Sequence, residues 1–251
     1  MNRGYQYDFS AKIPSMYDVE SRERKARTMI AVLSEFYKST NNLKELTLLD
    51  IGASTGIIDN CLSGYFKQVV GVDIDLKAVS HAEKLYGKDN LSFMVDDAMA
   101  LQFKDHSFDV VICSQVYEHV PDAQIMMNEI YRVLKPAGVC FFSAGNRFNL
   151  MEPHYNLPLL SVVPKPLAHL YLKLVGKGDH YYEEHLSYWG LKKLTRIFLC
   201  HDYTRKMLND PDYYKIDYML PPESLKILIA KLIAHYFYWA FPNYIWMLQK
   251  P

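Results

Sequence analysis

Two groups of side chains in this sequence of 251 residues have the types and spacing to do chemistry. The first is built on acids at the ends of apolar runs: Asp50 near the end of residues 46–51, and Asp73 directly after residues 69–72. Between them Gly52-Ala53-Ser54-Thr55-Gly56 makes a turn of small residues, where glycine tolerates positive φ and the backbone can approach a ligand closely. An acid about 20 residues past such a turn is placed to meet the hydroxyls of a ribose. No Gly-Lys-Ser/Thr closes the turn, and it lacks the third glycine that brings a helix close under a pyrophosphate. A nucleoside without phosphates suits it better. The second group is acid–base in character: His119, within residues 114–122, and the run Glu152-Pro153-His154-Tyr155. An imidazole titrates near neutrality and can take a hydroxyl proton, with a neighbouring carboxylate fixing its tautomer. No metal site is expected among these histidines, because no Cys lies near and no His-Glu-x-x-His spacing occurs.

Residues 46–51, 69–72, 91–95, 108–113 and 139–144 are short apolar runs of the kind buried on both faces of a parallel sheet. Helical periodicity separates several of them. Residues 19–39 repeat Ala26, Met29, Ile30, Leu33 and Phe36 or Tyr37. Residues 76–87 alternate at the same period, and residues 122–134 begin with Asp122 as an N-cap. The succession βαβαβαβ with right-handed crossovers predicts a doubly wound α/β sheet. Ligands of such sheets lie beyond the carboxyl ends of the strands, where the small-residue turn, Asp73 and the loop after residue 113 all fall.

Asp50-Ile51-Gly52-Ala53-Ser54-Thr55-Gly56, then Val72-Asp73-Ile74-Asp75, Asp96-Asp97-Ala98, Phe108-Asp109-Val110-Val111 with Glu118-His119-Val120, and Arg132-Val133-Leu134-Lys135-Pro136-Ala137-Gly138 resemble the successive motifs of class I S-adenosylmethionine-dependent methyltransferases of type 11. The resemblance spans roughly residues 46–148 and departs at Ser54, where the family has its middle glycine. It implies a seven-stranded Rossmann-like sheet and S-adenosyl-L-methionine as cofactor. By the same resemblance Asp50, Gly52, Ala53, Ser54 and Gly56 surround the methionine portion, Asp73 and Ile74 the ribose, and Asp97 and Ala98 the adenine, with Ser114 and Gln115 as the far wall. His119 is either a general base or half of a Glu-His pair that packs beneath the cofactor. The N-terminal helix closes over the cofactor, with Tyr5, Tyr7 and Tyr17 either lining the site or packing elsewhere. Later parts resemble the family's as well: residues 184–194 the segment leading into the last helix, with Ser187 as its cap, residues 198–207 a sixth strand and residues 244–248 a seventh.

Four segments result: 1–45 as an N-terminal segment with its helix, 46–148 as the cofactor-binding core, 149–183 as an inserted cap, and 184–251 completing the sheet around a second helical insertion. The insertions are aromatic-rich and apolar. Residues 166–175 expose Leu167, Leu170, Tyr171 and Leu174, and residues 222–241 carry a stripe from Leu225 to Trp239; prolines in one and Lys226, Lys231 and His235 in the other exclude a membrane span. Together they are expected to cap the site. They serve an apolar, amphiphilic or lipid-linked acceptor at a membrane surface, or they bury each other or a second copy in a homodimer. The first insertion resembles those of bacterial methyltransferases acting on glycans or lipid-linked sugars. Within it His180, Tyr181, Tyr182 and His185 form a further cluster beside Glu152, His154 and Tyr155. Lys+Arg and Asp+Glu are both 28, so no net field draws nucleic acid. Cys61, Cys113, Cys140 and Cys200 are widely spaced and read as reduced thiols, and residues 1–18 lack the apolar core of a secretory signal, so a cytoplasmic enzyme is expected. O-methylation of a small acceptor is the expected reaction; N- or C-methylation, or an inactive protein that binds through the same fold, are the alternatives.

Overall fold

The computed structural model describes residues 4–251, with side chains from Gln6 onward. In chain order the helices are α1 (Phe9–Lys12), α2 (Val19–Phe36), α3 (Ile57–Leu62), α4 (Leu76–Tyr86), α5 (Ala123–Val133), α6 (Lys165–Leu174), α7 (Tyr188–Leu194), α8 (Thr204–Asn209) and α9 (Leu225–Tyr236). The strands are β1 (Thr47–Ile51), β2 (Gln68–Asp73), β3 (Leu91–Val95), β4 (Phe108–Ser114), β5 (Leu134–Gly145), β6 (Met151–Glu152), β7 (Leu157–Pro158), β8 (Leu199–Asp202) and β9 (Asn243–Gln249). Seven of them form one sheet in the order β3-β2-β1-β4-β5-β9-β8, and β6 and β7 pair separately. The first five strands are parallel, and β9 runs antiparallel between β5 and β8. This is the doubly wound, seven-stranded Rossmann-like sheet expected.

The sheet is covered on both sides, which is why its central strands read as unbroken apolar runs. In β1, Leu48 packs into the core under α2 and α3, while Leu49 and Ile51 pack into the opposite core with α5 and α7. Each fully buried leucine contributes roughly 1.5–3 kcal/mol by leaving water. Acids and a serine start the flanking helices: Asp18 accepts from the Ser21 amide, Asp75 from Lys77 and Ala78, Asp122 from Gln124 and Ile125, and Ser187 from Gly190.

Three expectations about elements are corrected. No helix joins β3 to β4, so the strict βαβαβαβ alternation fails there. Residues 96–107 are instead a loop held by Arg132, whose guanidinium donates to the Leu101 and Phe103 carbonyls and to Asp105 and Glu129. Residues 198–207 do not make one strand: β8 ends at Asp202, whose carboxylate accepts the Thr204 amide and starts α8. The insertions also behave differently from a pair of capping helices. α6 packs on a small core of its own, with Leu157, Leu160, Ala168, Leu172 and Tyr181, and α9 contacts α8 and buries Ile227 and Ala234 in the main core. Neither helix lines the large cavity described next. Leu167, Leu170 and Leu174 of α6 and Leu225, Leu228 and Leu232 of α9 are exposed. Among the described residues, no helix is long and apolar enough to cross a membrane, and all four cysteines are free thiols.

Candidate active site

A cavity of about 920 Å³ opens at the carboxyl ends of β1, β2 and β4, where the sheet order reverses between β1 and β4. Its floor is the turn after β1. Gly52 has φ +81°, and a Cβ there would stand 2.7 Å from Val116 Cγ2, so only glycine leaves the backbone open to the cavity. Gly56, at φ +77°, serves a different purpose: a Cβ would meet Ala82 and Phe93, both at 2.7 Å, so it lets α3 pack on its neighbours and does not face the cavity. Ala53 is likewise buried away from the cavity. Ser54 takes the left-handed conformation at φ +52°, its amide donates to Asp73 Oδ2 at 2.9 Å, and its buried Oγ has no hydrogen-bond partner among the described residues.

Asp73 is fixed from two sides, since Oδ1 also accepts the Asp75 amide at 2.9 Å. Burial raises its pKa and these amides oppose the rise. Ile74, Asp97, Ala98, Ser114 and Gln115 line the same cavity. Gln115 adopts φ +58° and is tied by Nε2 to Ser143 Oγ and Asn243 Oδ1. Asp97 accepts the Met99 amide at 2.8 Å, while the preceding Asp96 spends its oxygens on the Asp97 and Gln102 amides. Asp50 lines the cavity beside the buried Asp59 of α3. Burial first, then Asp59 and Asp73, hold Asp50 well above the usual carboxylate range, and burial raises Asp59 to about 7.

Several lining residues were not foreseen. Arg22 and Lys25, one helical turn apart on α2, enter the wall near Asp50, and Phe9, Ile13 and Met16 close it from the N-terminal side. Tyr7 and Tyr17 are exposed and line none of it, and the Tyr5 side chain lies outside the described residues. The only sequence sign of the two cations was their i, i+3 spacing in Ser-Arg-Glu-Arg-Lys. Tyr218 and Met219 complete the rim from a loop that carries no motif.

At the far end three imidazoles meet. His119 lies with its ring centroid 4.8 Å from that of His154, which is 6.1 Å from that of His185. His154 Nδ1 bonds Glu152 Oε1 at 2.7 Å, and His185 Nε2 lies 3.5 Å from the same oxygen. Against the burial of both groups, this contact raises the His154 pKa and holds Glu152 down at about 2. Burial, then His154 and His185, push His119 down to about 3, which keeps its ring neutral and only weakly basic near neutrality. Glu152 is wholly buried and does not line the cavity, which it meets through its contacts with His154 and His185. Tyr155 turns away: its ring packs on Tyr181, its hydroxyl reaches the His180 carbonyl, and it lines no part of the cavity. His180 stacks on His169, Tyr181 is buried in the insertion's core and Tyr182 is exposed, so of that cluster only His185 joins the site.

The arrangement fits a nucleoside whose tail bears no phosphate. The turn's backbone is bare at Gly52, Asp73 offers a fixed carboxylate, and the acid–imidazole end lies beyond. The sequence pattern of a family described as "Methyltransferase domain" matches residues 49–142. "Ubiquinone biosynthesis O-methyltransferase" of Hydrogenovibrio crunogenus is 27% identical over 165 residues, 64% of this chain and 65% of that protein. "2-methyl-6-phytyl-1,4-hydroquinone methyltransferase" of a Synechocystis strain is 38% identical over 103 residues, 40% of this chain and 32% of that protein. The chain thus spans less than two thirds of either relative's length. Among solved structures, the PH0226 protein of Pyrococcus horikoshii superposes with a TM-score of 0.61 at 18% identity, covering 97% of this chain and 99% of that one, which is a likeness of fold.

Proposed function

Because residues 49–142 belong to the class I S-adenosylmethionine-dependent methyltransferases, we propose that this chain methylates a hydroxyl of a small, quinol-type aromatic acceptor with an apolar portion. The observation that carries the reading is the Glu152–His154 pair at the acceptor end of the cavity, 2.7 Å apart. The cofactor supplies a methyl group on a sulfonium: as an oxygen lone pair forms the new C–O bond, the C–S bond breaks and its electron pair stays on sulfur. Asp73 holds the ribose hydroxyls, and Asp97 with Ala98 the adenine edge. Arg22 and Lys25, which line the wall near Asp50, hold the carboxylate of the methionine portion. The chain's main task is alignment, which can be worth ~7–11 kcal/mol when nucleophile and methyl are held in line. In the chain as described, His154 takes the hydroxyl proton and Glu152 keeps its Nδ1 occupied, so that Nε2 is the accepting atom.

The names of both curated relatives point to quinone-type compounds, and this favours a quinol over a glycan or lipid-linked sugar. The test is a panel of hydroquinones, catechols and amines incubated with cofactor and followed by mass spectrometry. A methyl ether of a phenolic acceptor is expected, formed roughly 10²–10⁴-fold more slowly by His154→Ala at unchanged cofactor affinity. Product methylated only on nitrogen or carbon, or full turnover in His154→Ala, would overturn the reading.

A further inference from the structure

Glu118 is a carboxylate set in the interior without compensation. It is 1% exposed, and neither Oε1 nor Oε2 has a hydrogen-bond partner among the described residues. Glu152, 0% exposed, belongs to a neighbouring cluster that shares His154, and its ion pairs are with His154 and His185. Among the described residues neither acid is paired with a Lys or Arg. Burying a carboxylate without compensation is among the most unfavourable arrangements a fold can hold. The titratable groups acting on Glu118 from the segment after β5 are His185 and His154, with the acid Glu183 beside them, and imidazoles are neutral metal ligands by default.

We propose that Glu118, His119 and His154 bind a divalent first-row transition cation, such as Zn²⁺ or Mn²⁺, at the acceptor end of the cavity. One ligand atom from each of these three residues lies within 4.8 Å of the others, although His154 is far along the sequence from the adjacent pair Glu118-His119. Two imidazoles and one carboxylate form a donor set that suits Zn²⁺, Mn²⁺ or Fe²⁺ and leaves coordination positions open. The outer shell is already built: Glu152 occupies His154 Nδ1 at 2.7 Å, which fixes the tautomer and leaves Nε2 for a cation. His119 and His154 line the cavity, so the open positions face the acceptor. The inference departs from the expectation of no metal, which rested on sequence spacing alone and could not see that residue 154 folds back onto residue 119.

The proposal rests on the methyltransferase reading and deepens it. A hydroxyl coordinated to the cation loses its proton to water, and the resulting oxygen anion is the nucleophile; the cation then takes over the task given above to His154, which is held as a ligand. The experiment is equilibrium binding of Mn²⁺ to the chelator-stripped, full-length chain, followed by the loss of the free-ion electron paramagnetic resonance signal, with Co²⁺ absorption as a second probe. One equivalent per chain is expected, with imidazole nitrogen coupling in the bound spectrum. Glu118→Gln should abolish stoichiometric binding and Glu152→Ala should weaken it 10–100-fold, whereas His180→Ala should leave it unchanged. Absence of stoichiometric Mn²⁺, Co²⁺ and Zn²⁺ binding by the wild-type chain at millimolar ion would overturn the proposal, irrespective of how any variant folds. Calorimetry with S-adenosylmethionine on the stripped chain separates the two claims: cofactor binding without cation binding sinks only the metal site, and loss of cofactor binding sinks the reading beneath it.

Discussion

Replacing Ser54 by glycine should make this protein more stable, although it removes a side chain from the ligand site. Ser54 is held at φ +52°, where an L-residue other than glycine carries about 1–2 kcal/mol of steric strain. Its Oγ is buried and has no partner among the described residues, a further ~1 kcal/mol or more of unrecovered solvation. Against these gains stands the larger unfolded-state entropy of glycine, about 0.5–1 kcal/mol. The Ser54 amide that donates to Asp73 Oδ2 survives the change. The balance is a gain of roughly 1–2 kcal/mol, or about 2–8 °C in Tm for a chain of this size. Thermal and urea unfolding of the ligand-free protein measure it directly. A fall in Tm would refute the reasoning, since it would mean that the hydroxyl is satisfied in solution or that the loop does not adopt the left-handed conformation.

Gly52→Ala should act in the opposite direction. The new Cβ would stand 2.7 Å from Val116 Cγ2 on a backbone at φ +81°, so a stability loss of about 1–3 kcal/mol is expected, together with weaker cofactor binding; unfolding and calorimetric titration of the variant would check both. The Asp50–Asp59 pair makes a pH prediction. Asp59 moves from 3.8 unfolded to about 7 folded, so the stability it permits is complete below pH 4 and is lost as pH rises towards 7, at roughly 1 kcal/mol per pH unit. Asp59→Asn should flatten that part of the stability profile measured by urea unfolding between pH 4 and 7, and an unchanged slope would show that the carboxyl does not carry the proton.

Much of the frame was legible because it obeys local rules. β1, β2 and β4 are buried on both faces and therefore read as continuous apolar segments, and Asp122 and Ser187 cap their helices as their positions suggested. Asp73 could be found from its distance to the turn, since a βαβ unit has nearly fixed dimensions. What was not legible depends on which way a side chain turns after long-range packing. Nothing local distinguishes Tyr155, which packs into the insertion, from His154 next to it, which faces the cavity. The alternation of strands and helices implied a helix at 96–107, but Arg132 from α5, far along the chain, supplies hydrogen bonds to that loop instead. His119, His154 and His185 come together only because the segment after β5 folds back over the end of β4. Arg22 and Lys25 reach the cavity because α2 lies over the first turn, a tertiary arrangement that their spacing alone does not specify.

The central claim is that Asp73 and the turn after β1 hold S-adenosylmethionine, and isothermal titration of that compound into the wild-type chain and into Asp73→Ala tests it most directly. The carboxylate accepts charge-assisted hydrogen bonds worth about 1.5–3 kcal/mol each. Saturable one-to-one binding is therefore expected for the wild type, and an affinity at least ~100-fold weaker for the variant. Equal affinity in the two proteins, or tight binding of a dinucleotide in place of S-adenosylmethionine, would contradict the account.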